Sequence, residues 1–194
     1  ANDRCAGVDV AGRGPLAGPV VAAGVIIHPG HAPDGLDDSK KLNEARRQEL
    51  AGRIRTGPHC WSIAWADAAE IDSLNILNAT MLAMHRAVLG LRVEPSHVQI
   101  DGNQVPRGLK CTGEAIVGGD ARIAAISAAS ILAKVFRDGI MQRMASHYPG
   151  FGFERHKGYP TSTHAAALRE LGPCAIHRQS FRPVRELSRK AACS

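Results

Sequence analysis

The chain has 194 residues, 44% of them hydrophobic and 22% charged, which suits one globular domain with a real core and excludes a disordered segment. Its net charge of +6 is uneven, +5 in residues 151–194 against +1 in residues 1–150, and a basic end on a near-neutral body points to a polyanionic partner. No apolar run approaches the ~20 residues of a membrane helix, and five scattered cysteines without a C-x-x-C pair argue for free thiols in a reducing cytoplasm, not a zinc site or a disulfide framework.

The first segment, C-A-G-V-D-V-A-G-R-G-P-L-A-G-P, reads as a strand with Val8 and Val10 on one face and Asp9 between them. It breaks at Gly12, Gly14 and Gly18, and a second strand follows over Val20 to Ile27. A carboxylate inside a strand is costly unless paired or bound to metal. Gly12 and Gly14 allow a ligand close to the backbone, and Arg13 offers a fork suited to phosphate.

A loop at 28–39 precedes a helix capped by Asn43 that runs to about Thr56. His59 to Ala66 alternates as a third strand. A helical stretch from Asp67 breaks and resumes over Ile76–Leu91. Val98 to Asp101 and Ala115 to Val117 are two further short strands. Asp120 reads as the N-cap of a long Ala- and Ser-rich helix from about Ala121 to His147. A helix at about 162–171 and a basic tail close the chain. The order predicts an α/β fold with one mixed sheet.

Three carboxylates stand where the pattern calls for uncharged residues. Asp9 lies in the first strand, Asp101 ends the fourth, and Asp138 lies on the long helix one turn past Lys134. Gathered without His or Cys, such a trio suits Mg²⁺ or Mn²⁺, and two such ions ~3.5–4 Å apart support phosphodiester hydrolysis. Two competing readings stay open: Asp101 as a turn former in D-G-N, and Asp138 as a helix charge pairing with Lys134. Ser39, Lys40 and Lys157 are candidate phosphate contacts. Tyr159, beside a glycine kink, is a candidate platform for a sugar or base.

With these residues in hand, the chain resembles the ribonuclease HII family. The resemblance runs through G-V-D-V-A-G-R-G-P-L-A-G-P-V, D-S-K-K-L, I-D-G-N, I-S-A-A-S-I-L-A-K-V-F-R-D, Y-P-G-F-G-F, H-K-G-Y-P-T and H-R-Q-S-F. It implies a ribonuclease H-like fold: a five-stranded mixed sheet flanked by helices, as a single domain over 1–194. About 1–147 would be the sheet-and-helix core, and about 148–194 a basic helical extension. It implies an endoribonuclease that cuts the RNA strand of RNA–DNA hybrids and incises 5′ of single ribonucleotides in duplex DNA, leaving 3′-hydroxyl and 5′-phosphate ends. Asp9, Asp101 and Asp138 would be catalytic metal ligands for two Mg²⁺ or Mn²⁺ ions. Gly12, Arg13 and Gly14 would read the ribose 2′-hydroxyl through their backbone, and Tyr159 would pack on the neighbouring sugar. A cytoplasmic monomer acting on hybrid or ribonucleotide-containing duplex, with no membrane association, is expected.

One departure is plain. The family carries D-E-A-G-R-G, and here Val10 stands in place of the glutamate. That removes a ligand and a negative charge from a four-carboxylate set, so reduced activity is expected with little cost to the fold. The alternative it raises is a non-catalytic protein that binds RNA–DNA junctions.

Overall fold

The computed structural model describes residues 4–194, except for the side chains of residues 37–39. Its centre is a five-stranded sheet in the order β3-β2-β1-β4-β5. β1 (Cys5–Ala11) and β2 (Val20–Ile26) form an antiparallel pair, and β3 (Cys60–Ala66) extends it on the β2 side. β4 (His97–Asp101) joins the other edge of β1 in parallel, and β5 (Thr112–Ile116) follows in parallel. The sheet is mixed and flanked by helices, as the resemblance implies.

Strand alternation sends side chains of β1 to opposite layers. Ala6 and Val8, with Val10 at the margin, face a core closed by α3 (Ile76–Leu89). Gly7, Asp9 and Ala11 face the other layer, closed by α1 (Glu44–Thr56) and α4 (Ala124–His147). α4 lies close because its first turns are small: a methyl group on Gly7 would sit 2.2 Å from the Ala125 carbonyl carbon.

Local signals place most ends. The Asn43 side chain accepts from the Arg46 N–H at 2.8 Å and starts α1. Asp67 and Glu70 form a capping box on α2 (Ala68–Leu74). Asn75, at φ +72°, breaks the helical run and caps α3. The long helix starts at Ala124 rather than Ala121, because Gly119–Ala121 is a separate 3₁₀ turn and Asp120 does not cap α4. β5 likewise runs over Thr112–Ile116 rather than Ala115–Val117, leaving Val117 exposed.

The C-terminal portion packs onto the core and onto the loop between β1 and β2. α5 (Phe153–His156), α6 (Ser162–Leu171) and α7 (Arg182–Ala192) share an apolar cluster with Leu16, Ala17 and Met141. Strand-like contacts stitch this loop to both later segments. Leu16 N–H donates to the Gly158 carbonyl at 2.8 Å, and Gly18 N–H to that of Ile176 at 2.9 Å.

Candidate active site

A cleft of about 570 Å³ opens where β1 and β4 end. Parallel pairing sets Val8 beside Ile100, so one residue further on Asp9 and Asp101 leave neighbouring strands on the same face. Asp9 is buried, 6% exposed. Its Oδ1 accepts the Val10 N–H at 2.8 Å, and Ser130 of α4 donates to its carboxylate. Burial raises its pKa to about 7, with repulsion from Asp101 and Asp120 adding to the rise.

Asp120 closes the group from the 3₁₀ turn after β5. Its N–H donates to Asp101 Oδ1 at 3.3 Å, and its own Oδ1 lies 3.5 Å from Lys40 Nζ. Gly119 permits this approach. A methyl group there would clash with Ile126 Cδ1 at 2.6 Å and lie in ordinary contact with Asp101 Oδ1 at 3.6 Å.

Asp120 joins this group through Asp101, though neither it nor Asp138 is among the described residues lining the cleft. Asp138 stands apart from the group. Its Oδ1 accepts from Lys134 Nζ at 3.1 Å, the i−4 pair that the helix dictates. From Ser130, which bonds Asp9, to Asp138 is two further turns of α4, about 12 Å along the axis. Asp120, read from sequence as a helix cap, is instead the carboxylate bonded to Asp101.

The glycine loop forms the next wall, through Gly12, Arg13 and Gly14. Two arginines hold it from beneath, 1% and 0% exposed. Arg178 donates Nη2 to the Gly12 carbonyl at 2.7 Å, Nη1 to that of Arg13 at 3.0 Å and Nε to that of Gly18 at 3.0 Å. In a trans peptide the N–H points opposite to the C=O. With both carbonyls drawn toward Arg178, the N–H groups of Arg13 and Gly14 point away from it. Arg137 donates Nε to the Pro19 carbonyl at 2.9 Å, Nη2 to that of Ala17 at 2.8 Å and Nη1 to that of Lys157 at 2.8 Å. Burial lowers both guanidinium pKa values, to about 10 for Arg137 and about 9 for Arg178, so both remain cations at neutral pH.

Arg137 also corrects the reading of Gly12. That residue is at φ +92°, and a methyl group on it would stand 2.1 Å from Arg137 Nε. The close approach it permits is therefore to an internal arginine. Gly14 is the open position, where a methyl group would meet only the ring of Tyr159, at 3.7 Å.

Tyr159 lines the cleft, 38% exposed, with the Arg137 guanidinium 5.8 Å from its ring centroid. Three histidines hold its main chain. Gly158 N–H donates to His156 Nδ1 at 3.0 Å, which leaves His156 Nε2–H to donate to the Phe151 carbonyl at 2.8 Å. Cys174 N–H donates to His177 Nδ1 at 2.9 Å, so His177 Nε2–H donates to His164 Nε2 at 2.9 Å. His164 then donates Nδ1–H to the Tyr159 carbonyl at 3.0 Å. Each imidazole accepts one N–H and is therefore neutral. Burial lowers the pKa of His164 and lowers that of His177 to about 4.

Among the other predicted residues, Lys40 and Arg13 line the cleft. Lys157 does not turn toward it. Its ammonium donates to the Glu154 carbonyl, and its backbone is left-handed at φ +56°. The Ser39 side chain lies outside the described residues. Val10 borders the cleft and packs at the edge of the α3-side core. Sequence reading missed Asp120, Ser130, Arg47, Arg137 and Arg178. The H-R-Q-S-F and V-F-R-D segments carried the two arginines, but nothing local marks an arginine as buried.

The donor set fits a hard divalent cation. Carboxylates and a hydroxyl border the cleft, with no imidazole or thiol among its described lining residues. The raised Asp9 pKa, due first to burial and then to the Asp101 charge, is one that a bound cation would bring down. No three acidic, histidine or cysteine side chains among the described residues are preassembled as a cage.

The sequence model of the ribonuclease HII family matches residues 6–184. The ribonuclease HII of Maricaulis maris is 57% identical over 183 residues, covering 94% of this chain and 83% of that one. The ribonuclease HII of Acinetobacter baylyi is 57% identical over 180 residues, covering 93% and 95%. Among solved structures, the ribonuclease H2 of Pyrococcus horikoshii superposes with a TM-score of 0.82 at 26% identity, over 98% of this chain and 100% of that one. A Bst ribonuclease HIII solved in complex with Mn²⁺ shares the fold, with a TM-score of 0.69 at 19% identity over 100% of this chain and 72% of that one.

Proposed function

The chain belongs to the ribonuclease HII family and is thus a metal-dependent endoribonuclease of RNA–DNA hybrids, and within that activity we propose that it incises duplex DNA 5′ of a single embedded ribonucleotide. The observation that carries the reading is the convergence of Asp9 and Asp101 in one cleft with the Gly12–Gly14 loop, with Asp120 bonded to Asp101. Acid groups and a sugar-reading wall then face the same nucleotide.

Asp9, Asp101 and Asp120 would hold two Mg²⁺ or Mn²⁺ ions. Such ions activate the attacking water and stabilise the leaving 3′ oxygen. The protein's own part is to place and to select. Ser130 and the Val10 N–H orient the Asp9 carboxylate. The outward N–H groups of Arg13 and Gly14 would engage the 2′-hydroxyl, which only a ribonucleotide carries. Tyr159 would receive the adjoining sugar, and Lys40, Arg13 and Arg47 would meet phosphates along the rim. The five free cysteines suit a reducing cytoplasm, and we expect a monomer. No described helix is long and apolar enough to cross a membrane.

The test is a duplex with one ribonucleotide, incubated with Mg²⁺ or Mn²⁺ and its products mapped at nucleotide resolution. A cut leaving 3′-hydroxyl and 5′-phosphate ends on the 5′ side is expected, and cutting only of continuous hybrids would contradict the reading. Val10 favours a second outcome. It places an apolar branch at the cleft edge where the family's fourth carboxylate would stand. Tight junction binding without cutting would support a binding protein instead.

A further inference from the structure

Arg137 does not line the cleft, yet it touches every element that reads the ribonucleotide. Its guanidinium bonds the carbonyls of Ala17 and Pro19 at one end of the glycine loop and that of Lys157 at the other side. It stacks near the Tyr159 ring and fills the space against Gly12. Among the described residues these bonds go only to main-chain carbonyls, none to a carboxylate. The neighbouring Asp138 charge acts on it through space, so the three carbonyl bonds are its directional contacts. Geometry is what it supplies, because a planar fork fixes three acceptors at set angles.

We propose that Arg137 is a positioning residue for ribonucleotide discrimination, fixing the spacing between the Gly12–Gly14 loop and the Tyr159 ring. The inference rests on the functional reading above. A lone ribonucleotide offers its 2′-hydroxyl in one register only, so hydroxyl contact and sugar stacking must be met together. A continuous hybrid offers a hydroxyl at every step, and a displaced loop still finds one. Loosening the spacing therefore penalises the lone ribonucleotide most. Arg178 is the internal comparison. It bonds the loop carbonyls of Gly12, Arg13 and Gly18, stacks on Phe181, and makes no bond to the Lys157 turn among the described residues.

The experiment measures dissociation constants without divalent cation, so cleavage plays no part, for three duplexes: one ribonucleotide, continuous hybrid and all DNA. Arg137→Lys keeps the charge and loses the fork. It should weaken the lone-ribonucleotide duplex about tenfold more than the hybrid, a modest share of what a misplaced contact can cost. Arg178→Lys should weaken both in proportion. In a Tyr159→Ala background Arg137→Lys should add nothing to that ratio, because contacting residues couple.

If Arg137→Lys fails to fold, Lys157→Gly and Lys157→Ala are compared. Both lose the ammonium, and only glycine frees the left-handed turn that Arg137 grips. The glycine variant alone should lose the ratio. An unchanged ratio in Arg137→Lys, an additive effect with Tyr159→Ala, or equal behaviour of the two Lys157 variants would overturn the inference. A wild-type chain with no preference for the lone ribonucleotide over all-DNA duplex would overturn the functional reading and this inference with it.

Discussion

The two walls of the cleft are built on opposite physical terms. At the carboxylate end, Asp9, Asp101 and Asp120 crowd like charges into a partly dry space, and the pKa of Asp9 rises to about 7 as a result. At the recognition end, Arg137 and Arg178 direct six hydrogen bonds at main-chain carbonyls, and three neutral histidines complete the lattice under Tyr159. One end concentrates negative charge that a cation would offset, while the other has its carbonyls paired in advance. Chemistry needs the first and selection needs the second.

Protons should separate the two ends most sharply. Asp9 has a folded pKa raised from 3.8 to about 7, so the folded state holds a proton there that the unfolded chain has lost. Without divalent cation, that stabilises the fold as pH falls from 7 toward 4, by up to about 4 kcal/mol. His177 behaves oppositely. Its folded pKa is lowered from 6.5 to about 4. Stability present above pH 6.5 is lost as pH falls toward 4, by about 3 kcal/mol. In Asp9→Asn the gain disappears and the loss remains, so its Tm should fall more steeply in acid than that of the parent chain. Parallel curves from thermal melts would break the contrast.

A smaller change, in rate, is expected at position 10. Val10→Glu adds a carboxylate at the cleft edge and should raise cleavage in Mn²⁺ about tenfold or more, within the range that one electrostatic group contributes. Unchanged turnover in a single-turnover assay would place that position outside the chemistry. The same variant should leave the junction preference alone, because no bond of Arg137 or Arg178 depends on that side chain.

These two ends were unequally legible in the sequence. β1 and β3 announced themselves by alternation and α1 by its Asn43 cap, since both signals are local, while β5 was placed three residues late. Asp9 and Asp101 were legible because a carboxylate in or at the end of an apolar strand is conspicuous. Asp120 was misread for a local reason: Asp after two glycines looks like a cap, and only the turn geometry shows it meeting Asp101. For Asp138 the pairing with Lys134 at i−4 was one of two open readings, and the structure shows that pair. The arginine lattice was illegible. Its acceptors lie 118 and 120 residues away for Arg137 at Pro19 and Ala17, and 166 away for Arg178 at Gly12. No window of sequence can show a convergence on that scale.

The most direct measurement is a calorimetric Mn²⁺ titration of the parent chain, Asp120→Asn and Asp138→Asn, with folding checked by thermal melts. The account predicts affinity reduced about tenfold or more in Asp120→Asn, as typical for disturbed metal sites, and unchanged in Asp138→Asn. Binding that survives Asp120→Asn and disappears in Asp138→Asn would contradict it.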